Sequence, residues 1–140
     1  MRGREIKRVE PVDGVKRVLI VEPEGLVRWA VQQRLEASGF HVIQAADAHQ
    51  ARQHADEADI AVVDVRDSEG GRLSLAADLR QAKPTRPLIL VTSDKSPALE
   101  ERARALGLSI DLEKPYDLET LTHLIRALLS RRQLRQAEAR

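Results

Sequence analysis

Ala61-Val62-Val63-Asp64-Val65-Arg66-Asp67 is an apolar run that ends in a carboxylate. A β-branched run bounded by charge predicts a strand buried on both faces, the kind found in parallel sheets. Asp64 then falls at the C-terminal end of that strand, where the chain turns into Asp67-Ser68-Glu69-Gly70-Gly71. In an open α/β sheet ligands bind along that edge. An aspartate in such a place also suits a turn or a helix cap. Its meaning therefore depends on what the rest of the chain brings to the same edge.

Working outward, Arg17-Val18-Leu19-Ile20-Val21-Glu22 reads as a second buried strand. Pro23 suits the first turn of the helix that follows, and Glu24 there favours the helix dipole. Val27, Ala30, Val31 and Leu35 make a helical stripe that closes at Gly39. Phe40–Ala45 is another strand, and Asp47 caps a short Ala-rich helix reaching to about Glu57. Beyond Asp64, the residues Leu73, Ala76, Ala77 and Leu79-Arg80 predict a helix stopped by Lys83-Pro84. Pro87–Thr92 follows as a strand with its proline at the tolerated first position. Pro97 opens a helix that runs through Leu106 and ends at Gly107. Leu108–Leu112 shows the partial alternation of an edge strand. Leu118, Leu121, Ile125, Leu128 and Leu129 stripe a last helix that runs into the polar segment Arg131–Arg140.

Five strands alternating with five helices across short connections predict a doubly wound, flavodoxin-like α/β sandwich with a parallel five-stranded sheet. The expected strand order is 2-1-3-4-5, with its switch point between strands one and three. That order gathers the ends of strands one, three, four and five. Glu22, Asp64, Thr92 and Lys114 lie at or just beyond those four ends, and four independent turns are a poor explanation for such convergence.

The chain has 140 residues, enough for one domain. Residues 1–16, with Pro11 and Gly14 and no hydrophobic period, read as a flexible leader. Residues 17–130 form the domain, and 131–140 a polar helical tail or the start of a linker. The core is aliphatic, since Trp29, Phe40 and Tyr116 are the only aromatics. Absence of cysteine excludes disulfides and thiolate metal sites. No apolar run approaches the ~20 residues that span a bilayer, so a soluble, cytoplasmic chain with no membrane contact is expected. Residues 1–17 carry six basic and three acidic groups and residues 126–140 five and one, whereas the whole chain is only +1. The body between is therefore acidic, which disfavours direct nucleic-acid binding by the fold. His41, His49, His54 and His123 share no ligand-like spacing and are assigned to packing or solvent.

Four stretches together carry a resemblance: Val18-Leu19-Ile20-Val21-Glu22-Pro23-Glu24, the strand ending in Asp64, Val91-Thr92-Ser93, and Lys114-Pro115-Tyr116. In order, spacing and placement they resemble the receiver domains of bacterial two-component response regulators, over about residues 17–130. Val27-Arg28-Trp29-Ala30 further resembles the opening helix of receivers in enhancer-binding transcription regulators. The resemblance implies that Asp64 is the nucleophile that takes a phosphoryl group from a phosphohistidine on a sensor histidine kinase. It implies that Lys114 supplies fixed positive charge, that Thr92 hydrogen-bonds a phosphoryl oxygen, and that small Ser93 leaves room for it. The Lys114–Pro115 peptide is expected to be cis. The face around strands four and five would then switch on modification, passing a signal to a fused effector or through a homodimer. Such a chain has no metabolic activity; phosphoryl acceptance and slow self-dephosphorylation are the most it would catalyse.

The chain also departs from the pattern. Receivers typically place two adjacent acids after strand one to bind Mg²⁺ with the acceptor, and here the pair is Glu22-Pro23. Mg²⁺ is left with Glu22, Asp64 and the backbone carbonyl near Arg66, so weak binding is expected. The Arg66 side chain reads either as solvated or as reaching over the pocket to replace part of the cation chemistry. The loop Asp67–Gly71 lacks the usual proline and is expected to be altered and mobile. Asp111 stands where the family commonly has an aromatic switch residue, three before Lys114. These departures keep a second expectation open, a degenerate receiver that binds a partner without phosphorylation. A flavodoxin-like cofactor binder is disfavoured, because Glu22-Pro23-Glu24 would repel a phosphate.

Overall fold

A computed structural model of the protein describes residues 14–66 and 71–139. Strands β1 (Arg17–Val21), β2 (His41–Ala45), β3 (Ile60–Asp64), β4 (Leu88–Thr92) and β5 (Leu112–Glu113) form one sheet in the order 2-1-3-4-5. Each neighbouring pair is parallel. Between and after them lie α1 (Gly25–Ala37), α2 (Ala48–His54), α3 (Arg72–Ala82), α4 (Pro97–Ala105) and α5 (Leu118–Glu138). The fold class and strand order are those expected from the sequence.

Side-chain alternation divides the core into two layers. Leu19, Val21, Ala61, Val63, Leu88 and Leu90 face α2, α3 and α4, where they meet Ala51, Leu75, Leu79, Leu99 and Ala103. Val18, Ile20, Ile60, Val62, Ile89 and Val91 face α1 and α5, where they meet Val31, Leu35, Leu121 and Ile125. Every residue of β3 and β4 is buried, which is why those strands read as continuous apolar runs. Glu22 continues the parity of Val18 and Ile20, and Asp64 that of Ile60 and Val62. Both carboxylates thus leave the sheet on the α1/α5 side of its C-terminal edge.

Several boundaries differ from expectation, each for a local reason. Pro23 precedes α1 instead of opening it, because Glu24 is the N-cap and the helix starts at Gly25. The Ala-rich helix ends at His54 and tightens into a 3₁₀ turn, Ala55–Glu57. Strand five is Leu112–Glu113, not Leu108–Leu112. Asp111 accounts for that shift: its N–H donates to Leu90 O at 2.9 Å, and its own carboxylate accepts from Leu90 N–H at 2.8 Å. A side chain has taken over a ladder acceptor, so regular pairing begins one residue later. Gly39 and Gly107, both at positive φ, end α1 and α4 as expected. Helix α5 continues through the polar segment to Glu138. The leader through residue 13 and the loop residues 67–70 lie outside the described residues.

Candidate functional site

Asp64 is the last residue of β3 and has no solvent exposure, 0%. Strand register pairs it with Val91 of β4, so Thr92 stands one residue further along the neighbouring strand. Thr92 is also fully buried; its hydroxyl oxygen accepts from Asp94 N–H at 3.1 Å. A hydroxyl engaged in this way keeps its proton to donate. Its backbone carbonyl accepts from Lys114 N–H at 2.7 Å, which ties the end of β4 to the segment after β5.

Lys114 enters the notch next to a cis Lys114–Pro115 peptide. Its ammonium lies 2.7 Å from Asp64 Oδ2 and also pairs closely with Glu22 Oε1. Burial works against the charged form, but pairing with Asp64 and Glu22 outweighs it, and the lysine pKa is raised above its ordinary value. Tyr116 is shifted up as well, first by burial and then by the Glu22 and Asp64 charges, against the opposing charge of Lys114.

Glu22 is buried at the end of β1. Its second carboxylate oxygen accepts from Glu24 N–H at 3.1 Å, and its carbonyl accepts from Arg28 Nη1 at 2.7 Å. Arg28 in turn donates to Gln44 Oε1 at 3.2 Å. Glu22 therefore holds the start of α1 with one oxygen and the lysine with the other.

The residue that sequence reasoning missed is Arg72, the first residue of α3. It is 4% exposed. Its Nε donates to the backbone carbonyl of Asp64 at 2.6 Å, and its Nη2 lies 3.3 Å from Asp64 Oδ1. Gly71, at φ 64°, provides the left-handed turn that starts the helix there. An arginine in the first turn opposes the helix dipole, and that turn holds no acidic residue. That misplacement was the available signal. Arg66 also reaches toward the carboxylate: its Nε is 3.9 Å from Asp64 Oδ1 and its Nη2 is 3.6 Å from Glu24 Oε1.

Asp64, Lys114 and Glu22 are thus brought into contact, Arg66 stands at their rim, and Thr92 lies at the adjoining strand end. Among the described residues no group of three His, Cys, Asp or Glu side chains is arranged to hold a metal ion. None of the helices searched among these residues is long and apolar enough to cross a membrane. Beside the notch a hollow of about 450 Å³ runs between α1 and the segment after β5, lined by Val27, Ala30, Val31, Pro115, Tyr116 and Leu118 among others.

Comparison with known proteins agrees with this geometry. Residues 18–126 match the response regulator receiver domain family. The chain is 29% identical over 119 residues to the transcriptional regulatory protein PdtaR of Mycobacterium tuberculosis, covering 83% of this chain and 58% of the relative. It is 32% identical over 127 residues to the response regulator MprA of Mycobacterium ulcerans, covering 88% and 54%. The chain spans about half the length of such curated relatives. Among solved structures, a CheY-like receiver domain protein from Methanospirillum hungatei superposes with a TM-score of 0.79 at 22% identity, covering 87% of this chain and 99% of that one. The chemotaxis protein CheY4 of Vibrio cholerae gives 0.71 at 25% identity, over 82% and 99%. The chain belongs to the receiver domain family of the response regulators of two-component systems.

Proposed function

We propose that Asp64 accepts a phosphoryl group from the phosphohistidine of a sensor histidine kinase, and that the β4–β5 face relays the change. The observation that carries this reading is the Lys114 ammonium, 2.7 Å from Asp64 Oδ2 and held in place by Glu22. Phosphoryl transfer is chiefly positioning and charge neutralisation, and a fixed cation against the acceptor oxygen supplies both. Thr92, with a donor proton at the adjoining strand end, takes a phosphoryl oxygen. Its movement would draw on the β4 loop through Asp94 and Lys114. The kinase approaches along α1, where the hollow and exposed Leu26 and Trp29 offer apolar contact. Output passes to a fused effector domain or to a second copy of the chain, in the cytoplasm.

Receiver domains generally bind Mg²⁺ at this acidic pocket. The described residues of this chain do not fit a resident Mg²⁺. Lys114 already takes an oxygen of each buried carboxylate, Arg72 takes the other Asp64 oxygen, and Pro23 stands where a second acid would be. Mg²⁺ requires near-octahedral oxygen ligation and gives up its waters reluctantly.

A second reading, a receiver that binds its partner without phosphorylation, is favoured by the complete burial of Asp64. Incubation with acetyl phosphate or phosphoramidate, followed by intact mass measurement, decides between them. A phosphoryl adduct that disappears in Asp64→Asn supports acceptance. No adduct under any ionic condition supports the interaction module.

A further inference from the structure

We propose that the Arg72 guanidinium takes the place of the divalent cation at this acceptor, so that Asp64 is phosphorylated without metal. The inference rests on the reading of Asp64 as a phosphoacceptor and goes beyond it in naming what neutralises the charge.

In the usual pocket three carboxylates face one lysine, leaving two negative charges that Mg²⁺ cancels. Here, among the described residues, the buried Asp64 and Glu22 face the half-buried Lys114 and the buried Arg72, two negative charges against two positive ones. At the rim, Arg66 adds a third cation, 3.6 Å from the exposed Glu24 and 3.9 Å from Asp64 Oδ1. A divalent cation would meet two side-chain cations already within reach of the oxygens it needs, which is repulsive at such separations. Arg72 is suited to the task, because a guanidinium stays charged when buried and donates along two directions at once. It spends one donor on the Asp64 carbonyl at 2.6 Å, which fixes the head group, and turns another to Oδ1 at 3.3 Å.

The transfer balances without further reagents. A carboxylate oxygen of Asp64 attacks phosphorus, the P–O bond forms as the P–N bond to the donor breaks, and the leaving nitrogen keeps the electron pair. The acyl phosphate carries two negative charges where the carboxylate carried one. Arg66 meets that extra charge by leaving solvent-exposed Glu24 and closing on the phosphoryl oxygens.

The experiment follows phosphoramidate modification of the full chain by intact mass, with excess EDTA and with Mg²⁺, alongside a calorimetric Mg²⁺ titration. The expected result is the same rate of adduct formation in both conditions and no heat of Mg²⁺ binding at millimolar concentration. Arg72→Ala should slow the EDTA reaction by about 10²-fold, the usual effect of losing one fixed donor to a developing charge. Low-millimolar guanidinium should restore part of that rate, which a variant that merely unfolds would not allow. Adduct formation only with Mg²⁺, or a clear binding isotherm in the wild-type chain, would overturn the inference and leave acceptance by Asp64 standing. No adduct in either condition would overturn acceptance itself and this inference with it.

Discussion

Lys114 bears on two buried carboxylates at once, so its removal leaves Asp64 with Arg72 but takes from buried Glu22 the ammonium that pairs with it. Uncompensated buried charge of this kind costs about 3–5 kcal/mol. Lys114→Met is expected to lower the urea midpoint accordingly, and a change near zero would show that the pair is solvated. Asp111 gives a pH-dependent expectation. Burial raises its pKa, against the Leu90 hydrogen bond and the Arg80 charge, both of which lower it. A pKa raised on folding contributes stability that is complete below the unfolded value, about 3.9, and is lost as pH rises through the folded one. Asp111→Asn should therefore gain stability relative to wild type as pH rises through that window, measured by urea denaturation at a series of pH values. A difference that is flat with pH, or of the opposite sign, would contradict this. Position 64 was readable in the sequence because it ends an apolar strand. Arg72 was not, because seven residues, a glycine pair among them, separate it from the aspartate that it contacts.

At the scale of elements, β3 and β4 were legible because burial on both faces leaves an unbroken aliphatic run. Strand β5 was misplaced because its sequence, Leu108-Ser109-Ile110-Asp111-Leu112, has the alternation of an edge strand. Nothing in that pattern reveals that a side-chain carboxylate replaces a backbone partner. Arg86 shows the same limit. It lies between Pro84 and Pro87, in a stretch with no apolar pattern to mark it as buried, and it is 3% exposed. Its guanidinium donates to Ala55 O at 2.6 Å and to Leu79 O at 3.2 Å, joining the 3₁₀ turn to the end of α3. Arg86→Ala is expected to cost about 1.5–3 kcal/mol, the range for hydrogen bonds made by a charged group. Hydrogen exchange should show the loss concentrated at the C-terminal turn of α3; uniform loosening would place the cost elsewhere.

For the whole molecule, the core layer beneath α1 and α5 ends at Leu129, and the residues beyond it present exposed Leu134 and polar groups. Arg132 nevertheless donates to Asp59 O at 2.9 Å, beside β3. Deleting residues 131–140 is expected to leave a folded domain that is less stable by about 1–3 kcal/mol, the worth of a charged hydrogen bond. Loss of cooperative unfolding would make the tail part of the core. Topology was the most legible property of all, since alternating strands and helices with short connections admit few arrangements. The charge arrangement of the notch was the least legible, because it depends on six side chains from four separate segments.

On the reading proposed above, the carboxylate at position 64 is the group that becomes phosphorylated. Borohydride reduction of the phosphodonor-treated chain, followed by peptide sequencing in a mass spectrometer, tests it most directly, because an acyl phosphate is reduced to an alcohol and a free carboxylate is not. The expected result is homoserine at position 64 and aspartate at that position in the untreated chain. Aspartate at 64 after treatment, with the label elsewhere or nowhere, would contradict it.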